Sequence, residues 1–130
     1  MNQLILTFNF QLLNMYLDEL REYCLSKPET SEGLPFDEET LVFKVAGKIF
    51  LLTNISDSSS MNVKCEPEYA LQLREHYPEI QPGYHMNKKM WNTISLTGNL
   101  TKALILSLID HSYQQVVKGL KKADRERLAL

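Results

Sequence analysis

The sequence has no apolar run that approaches the roughly 18 residues needed for a membrane-spanning helix. Its first 13 residues are apolar, but they carry no lysine or arginine and no small-residue cleavage site, so they lack the features of a secretory signal. We interpret residues 1–14 as an N-terminal extension, either disordered or packed on the domain as extra helix or strand. Translation upstream of a start at Met15 is the remaining interpretation.

Cysteine is scarce, with only Cys24 and Cys65 in the chain. Neither belongs to a CxxC pair or shows metal-ligand spacing, so we expect two buried, reduced thiols in a cytoplasmic protein. A chain of 130 residues, 44% apolar and 23% charged, has enough apolar surface to form one core without disulfides or a structural metal.

Recognisable catalytic motifs are absent. No GxSxG, P-loop or GxGxxG pattern occurs, which removes the motif-based indications of a hydrolase, a nucleoside triphosphatase or a dinucleotide enzyme. The histidines His76, His85 and His111 lie far apart and do not show HExxH spacing. We therefore expect no enzyme, no metal and no cofactor. For an enzyme, Tyr84, His85 and Lys88 would be the cluster to suspect.

The chain also lacks a strongly basic composition, since its formal net charge is −2, whereas duplex-binding proteins are usually more basic. The two halves differ in charge. The first 60 residues contain four cationic and nine acidic side chains, and residues 61–130 contain ten cationic and seven acidic ones. Any anion-binding surface should therefore draw mainly on the second half.

Hydrophobic periodicity predicts three helices and five strands. The first helix has apolar residues at three- and four-residue spacing and ends at Lys27-Pro28, and a loop rich in Glu, Ser and Gly follows it. Strict alternation marks the strands, and 46–48 predicts a hairpin turn. The predicted order is helix 12–26, strands 41–45, 49–52 and 61–65, a helix from Pro67, strands 84–86 and 90–97, and a helix capped by Thr101.

This order and alternation predict an α+β fold, a two-layer sandwich in which helices cover one face of an antiparallel sheet of about five strands. No internal repeat, low-complexity tract or Gly/Ser linker indicates a domain boundary. We expect a single domain over residues 15–121 and a charged C-terminal tail at 122–130.

The segment Pro82–Thr93 is the most informative part of the sequence. It gathers two aromatic residues, a histidine, adjacent lysines and amides around one predicted hairpin. Such side chains can hold phosphate through ammonium groups and stack on bases through rings. The alternative is that Tyr84 and Trp91 are packing residues, while Lys88-Lys89 only solubilise a tight turn.

Strand alternation adds Lys44, Lys64 and Trp91 to one surface, on the sheet face opposite the helices. A single tryptophan among polar groups there indicates contact with a partner. The N-terminal segment or a second copy of the chain is an alternative cover for this face, and the second copy would make it a dimer surface.

Several stretches resemble the MmcQ/YjbR-like family of small bacterial proteins, over about residues 15–121. The most specific stretch is Pro82-Gly83-Tyr84-His85-Met86-Asn87-Lys88, followed by Trp91-Asn92-Thr93. The others are Leu20–Pro28, Pro35-Phe36-Asp37 with Leu41–Val45, Asn62–Cys65 with Pro67-Glu68, and Ser112-Tyr113 with Val116-Val117.

The resemblance implies a frataxin-like α+β domain. Members of the family are labelled DNA-binding because the fold was described as a double-wing motif, in which hairpins flank a nucleic-acid surface. The chain departs from the family at Met90, where histidine is usual, and at Glu66, where aspartate is usual and would be a better helix cap. On the motif matches, the contact positions would be Lys44, Lys48, Lys64, His85, Lys88, Lys89 and Trp91, with Tyr84 as a further stacking surface.

Two functions from different classes follow. The leading prediction is a non-enzymatic DNA-binding module, a regulator or accessory factor, whose binding is weak and falls steeply with salt. The alternative is a protein-interaction or small-anion-binding module that uses the exposed sheet face around Trp91, a homodimer included, and whose recognition is largely insensitive to salt. No membrane partner is expected.

Overall fold

The computed structural model describes residues 15–83 and 86–128, so the N-terminal extension, Tyr84, His85 and the last two residues lie outside the described residues. The helices are α1 (Leu17–Leu25), α2 (Pro67–His76), α3 (Lys102–Lys118) and α4 (Lys122–Arg127). The strands are β1 (Thr30–Gly33), β2 (Thr40–Val45), β3 (Lys48–Asn54), β4 (Ser60–Lys64), β5 (Ile80–Pro82) and β6 (Trp91–Ser95).

The six strands form one open sheet in the order β1-β2-β3-β4-β6-β5, and every neighbouring pair is antiparallel. Side chains of α1, α2 and α3 share one buried cluster with one face of the sheet. The predicted α+β fold with an antiparallel sheet and helices is therefore confirmed, with six strands in place of about five. No helix within the described ranges is long and apolar enough to cross a membrane.

The strand β1 lies where a loop was predicted. Its sequence, Thr-Ser-Glu-Gly, contains no apolar side chain and so gives no hydrophobic alternation. Backbone pairing with β2 nevertheless forms it, with Glu32 opposite Phe43 and Gly33 opposite Val42. The strand is held by its neighbour's hydrogen bonds rather than by burial of its own side chains.

The predicted hairpin between β2 and β3 is confirmed. Its two-residue turn consists of Ala46 and Gly47, which both have positive φ, at 47° and 82°. Positive φ at both central residues matches the right-handed twist of the flanking strands. Further along β3 the register shifts by one residue, and the extra residue, Phe50, points to the helix side like its neighbour Leu51.

The edge strand that pairs with β6 differs from the prediction. Part of the predicted strand at 84–86 lies outside the described residues, and Met86 belongs to no strand. The edge strand that pairs with β6 is instead β5, which ends at Pro82. A proline lacks the N–H that a central strand must donate, so it is tolerated at this edge position.

The helix caps explain where α2 and α3 begin. The carboxylate of Glu66 accepts hydrogen bonds from the backbone N–H groups of Glu68 and Tyr69, and Pro67 occupies the first turn. Glu66 therefore caps α2 although aspartate would be the more usual cap. The predicted cap of α3 is confirmed, since the Thr101 hydroxyl accepts from the N–H of Leu104 at 3.1 Å.

The charged C-terminal tail differs most from the prediction. Residues 122–127 form α4, and Leu128 after it is buried in the core. The guanidinium of Arg127 donates two hydrogen bonds of 2.7 Å to the carboxylate of Glu29, in the connection between α1 and β1. The segment thus docks on the domain because one apolar side chain and one ion pair anchor it.

The core contains Cys24 and Cys65, and both thiols are free and buried, as predicted. Burial raises the pKa of Cys24 to about 12 and that of Cys65 to about 11. Both thiols therefore stay protonated at neutral pH, and neither is a reactive thiolate.

Candidate functional site

The face of the sheet opposite α1, α2 and α3, called the open face below, carries the predicted site. It holds a small apolar cluster of Val42, Leu52 and Trp91, separate from the main core. Three partly buried side chains pack against this cluster, namely Ile49, Met86 and Met90. Sequence alternation therefore placed Trp91 on the correct face.

Stacking on a base requires an exposed ring, and the sequence left the exposure of Trp91 open. The residue is 9% exposed, because Met86 and Met90 from the segment before β6 pack against its cluster. A tryptophan covered in this way offers no flat surface to a nucleic-acid base. The alternative interpretation of Trp91 as a packing residue fits the structure better.

Two predicted lysines lie on the open face beside this cluster. Lys64 of β4 pairs directly with Trp91 of β6, and Lys44 of β2 pairs with Ile49 of β3. Both lysines are partly exposed, and Lys48, at the first residue of β3, is exposed. The strand register thus brings Lys44, Lys64 and Trp91 to the same end of the open face, next to the β2–β3 turn.

The strands place no acidic side chain on this face. The six strands, all within the described residues, contain one acidic residue, Glu32. It lies on the helix side of the sheet, where its carboxylate accepts hydrogen bonds of 3.0 and 3.1 Å from Nε of Arg21 in α1. The strands therefore present lysines and no carboxylate on the open face, although the chain as a whole is slightly acidic.

The segment 86–90 carries two more predicted lysines, Lys88 and Lys89, which are both exposed. Asn87 organises the turn. Its side-chain oxygen accepts from the N–H of Lys89 at 2.9 Å, and its carbonyl accepts from the N–H groups of Met90 and Trp91 at 3.1 and 2.9 Å. These local bonds fix where the lysines leave the sheet.

Arg74 of α2 connects this turn to the rest of the domain, and it is not among the site residues predicted from the sequence. Its guanidinium donates to the Asn92 side-chain oxygen at 2.6 Å, to the Lys88 carbonyl, and to the Trp91 carbonyl at 3.3 Å. The side chain of Asn92 is fully buried, and no partner for its Nδ2 exists within the described residues. The sequence did contain a signal for this role. An arginine next to the buried stripe of a helix needs hydrogen-bond acceptors close to its guanidinium.

Beyond the lysine end, the strand side chains on the open face are polar and uncharged, although Glu79, just before β5, lines one of the clefts there. The Thr93 hydroxyl donates to the side-chain oxygen of Asn62 at 2.6 Å across β6 and β4. Shallow clefts of about 370 and 410 Å3 flank this pair. The first is lined by residues that include Thr40, Asn54 and Met86, and the second by residues that include Gln81, Ser95 and Thr97.

The structure thus places the predicted site residues in different parts of the fold. Lys44, Lys64 and Trp91 share the open face, and Lys88 and Lys89 lie in the turn before β6. Lys48 does not share that face, because it pairs with Val45, which is buried in the main core on the helix side of the sheet. Tyr84 and His85 lie outside the described residues. Within the described ranges no group of three or more His, Cys, Asp or Glu side chains could hold a metal ion.

The sequence matches the model of the YjbR family over residues 25–115. The chain belongs to the YjbR family. Protein YbdF of Escherichia coli O157:H7 is 41% identical over 95 residues, which cover 72% of this chain and 78% of YbdF. Protein YjbR of Escherichia coli K12 is 32% identical over 115 residues, which cover 88% of this chain and 98% of YjbR. Both relatives are named as uncharacterised proteins, so membership assigns no activity.

Solved structures share the fold of this YjbR-family chain. The crystal structure of Deinococcus radiodurans protein DR2400, a DUF419 domain, superposes with a TM-score of 0.83 at 39% identity, covering 92% of each chain. A crystal structure of a Pseudomonas syringae protein gives a TM-score of 0.65 at 29% identity, covering 78% of this chain and 98% of that protein. The resemblance to YjbR-like proteins is therefore confirmed, while the frataxin-like description stays a prediction.

Proposed function

We propose that this YjbR-family chain is a non-enzymatic, cytoplasmic DNA-binding module, a regulatory or accessory protein, that contacts phosphates through the lysines of the open face. One observation carries the proposal. The strands hold lysines on that face, and their single carboxylate, Glu32, is on the other side and bound to Arg21. Segregation of charge onto one face creates a local positive potential in a protein whose net charge is −2.

The burial of Trp91 and the positions of the arginines limit how the protein could contact DNA. Trp91 is covered, so stacking on Trp91 is not part of the proposal, and the contacts are electrostatic. The chain has four arginines, and those described lie in α1, α2 and α4 rather than on the sheet, so bidentate reading of guanine is not expected. The proposal is for weak, sequence-tolerant binding to phosphates.

The salt dependence can be estimated from the lysines. If Lys44, Lys64, Lys88 and Lys89 each neutralise one phosphate, the logarithm of affinity for duplex DNA falls with a slope of about −3.6 against the logarithm of salt concentration. A change from about 50 to about 200 mM salt then lowers affinity about 150-fold. Single-stranded DNA should show a shallower slope.

The test is fluorescence anisotropy of labelled single- and double-stranded DNA at these two salt concentrations. The variant Lys44→Gln with Lys64→Gln should reduce the salt slope on duplex DNA by about 1.8. The matched control, Lys121→Gln with Lys122→Gln, makes the same charge change on exposed residues at the start of α4. The proposal is wrong if the parent protein does not bind at low salt, or if the two variants lose affinity equally.

A second candidate function is a protein-interaction or small-anion-binding module that uses the same face, including association of two copies. The apolar cluster of Val42, Leu52 and Trp91 and the polar clefts beside it favour this candidate. It predicts binding or self-association that changes little with salt. Sedimentation of the chain alone at low and high salt distinguishes this candidate from phosphate binding.

A further inference from the structure

A further cleft lies on the helix side of the molecule, between α1, α3 and the end of α4. Its volume is about 660 Å3, within the range typical of small-ligand sites. Side chains of Tyr23, Lys27, Asp110, Gln114, Lys118 and Leu128 are among those that line it. None of these residues belongs to the open face, so this cleft is independent of the proposed DNA-binding function.

One wall of the cleft is a fixed group of polar side chains. The Tyr23 hydroxyl donates to Asp110 Oδ1 at 2.7 Å, and the ammonium of Lys27 donates to the same oxygen at 2.5 Å. The Lys27 nitrogen also lies 4.9 Å from the centre of the Tyr23 ring and 5.2 Å from that of Tyr113. With a side-chain exposure of 17%, Lys27 is locked in place, and Asp110 neutralises its charge.

The protonation of this wall is also fixed. Burial, together with the smaller effect of the hydrogen bond to the Asp110 carboxylate, raises the pKa of Tyr23 to about 12. The Tyr23 hydroxyl therefore remains a donor across the physiological pH range. Because both donors bind Oδ1 of Asp110, its second oxygen, Oδ2, has no hydrogen bond within the described residues.

The other polar groups lie along one face of α3. Asp110, Gln114 and Lys118 are spaced by four residues, which places them in one row on the helix. The exposed amide of Gln114 makes no hydrogen bond within the part of the chain that the structure describes, and Lys118 makes no ion pair there. The row therefore offers an acceptor, an amide and a cation to a ligand in the cleft.

We propose that this cleft binds a small organic carboxylate that also carries a hydroxyl or amino group. Among the side chains that line the cleft, the charges of Lys27 and Asp110 cancel, so the cation of Lys118 is the remaining charge there and selects an anion. The second oxygen of Asp110 accepts from the ligand's hydroxyl or amino group. The tyrosine rings and the buried Leu128 contact an apolar body between the two ends.

The test uses three small probes and backbone-amide NMR on the full chain. 4-Hydroxybenzoate has the carboxylate, the ring and the hydroxyl donor, whereas benzoate lacks the donor and 4-hydroxybenzyl alcohol lacks the carboxylate. We expect 4-hydroxybenzoate to give saturable shifts at Lys27, Asp110, Gln114 and Lys118, with a Kd on the order of 1 mM. Benzoate should bind more weakly, and the alcohol should not saturate at about 10 mM.

Two variants separate the roles of the polar groups. Lys118→Gln should weaken 4-hydroxybenzoate binding at least about five-fold, the loss of one charge-assisted bond, whereas Lys122→Gln on the exposed side of α4 should not. Asp110→Asn should remove the preference for 4-hydroxybenzoate over benzoate. The proposal is overturned if no probe gives saturable shifts, if the alcohol binds as well as the acid, or if the two lysine variants behave alike.

Discussion

At the scale of single residues, Arg74 holds the turn that borders the open face. Its guanidinium joins α2 to the side chain of Asn92 and to the backbone of Lys88 and Trp91. A lysine in its place has one compact ammonium and cannot hold acceptors in several directions. The cover over Trp91 therefore depends on the planar shape of the arginine, since Met86 and Met90 belong to the segment that Arg74 holds.

This dependence gives a prediction for Arg74→Lys. We expect the segment 86–90 to loosen, so that Trp91 becomes more accessible to acrylamide, with a quenching constant raised about two-fold or more, and stability falls by about 1–3 kcal/mol. Because Trp91 is the chain's one tryptophan, its fluorescence reports this site alone. The control is Arg125→Lys, at an exposed position in α4. Equal quenching in parent and Arg74→Lys would show that the cover does not depend on this residue.

His111 couples pH to the start of α2. Its Nε2 accepts a hydrogen bond from the backbone N–H of Glu66 at 3.1 Å, so the contact requires a neutral ring. Burial lowers the pKa of His111 below 6.5, and Lys118 lowers it further, while Glu66 acts in the opposite direction. Between the pKa of His111 in the folded chain and 6.5, the unfolded chain binds the proton more strongly than the folded chain does. The neutral ring therefore contributes fully to stability above pH 6.5, and this contribution is lost as the pH falls toward the folded pKa.

We therefore predict that His111→Gln flattens the decline in unfolding free energy between about pH 7.5 and 5.5, since glutamine still accepts the hydrogen bond but does not titrate. Denaturant unfolding at several pH values measures this slope. His76→Gln, on the exposed part of α2, makes the same chemical change away from the Glu66 contact and is the control. An unchanged slope in His111→Gln would contradict the prediction.

At the scale of secondary-structure elements, the β2–β3 turn is set by its backbone. Gly47 has φ of 82°, and a Cβ placed there meets no atom within 4 Å. The cost of Gly47→Ala is therefore backbone strain without a clash, and we expect a loss of about 1–2 kcal/mol in unfolding free energy. Gly33→Ala is the matched control, since its Cβ would also meet nothing and its φ is not positive. Similar losses in both variants would refute the strain argument.

The elements that the sequence predicted correctly have a strong local signal. The β2–β3 hairpin and β4 show apolar alternation, and the start of α3 is capped by its own Thr101. The elements that differ are stabilised from elsewhere in the chain. β1 has no apolar side chain and exists through β2, and α4 is charged but is anchored by Leu128 and by the ion pair with Glu29. Periodicity within a short window does not contain such distant contacts.

The candidate site also combines features that the sequence predicts with features that it does not predict. Alternation correctly put Lys44, Lys64 and Trp91 on one face, because a strand's side-chain period is fixed. It did not predict that Met86 and Met90 bury Trp91, because that depends on a turn organised by Asn87 and held by Arg74 from another element. The sequence likewise did not predict the charge of the open face, because that charge depends on Glu32 lying on the helix side of the sheet.

At the scale of the whole molecule, one hydroxyl links the two layers. Ser112 of α3 is fully buried, donates to the Phe50 carbonyl at 2.5 Å, and accepts from the Lys64 N–H at 2.8 Å. The Phe50 carbonyl lies at the register shift of β3, and the Lys64 N–H lies at the end of β4. The helix layer thus satisfies backbone groups of two neighbouring strands through a single side chain.

Removal of this hydroxyl should affect global stability. We expect Ser112→Ala to lower the unfolding free energy by about 2 kcal/mol, because buried backbone groups lose their partner. Ser107→Ala is the control, since the Ser107 hydroxyl bonds only the Leu104 carbonyl on an exposed part of the same helix. Chemical denaturation of both variants decides the matter, and a change within about 0.5 kcal/mol for Ser112→Ala would contradict the prediction.

The two margins of the sheet determine how copies of the chain can associate. β5 is three residues long and ends in Pro82, and β1 is four residues long with a glycine at its end. Neither margin offers a long, regular row of backbone groups on which a further strand could grow. Edge-to-edge growth of strands into fibrils is therefore disfavoured at both margins of the described sheet, even at high protein concentration.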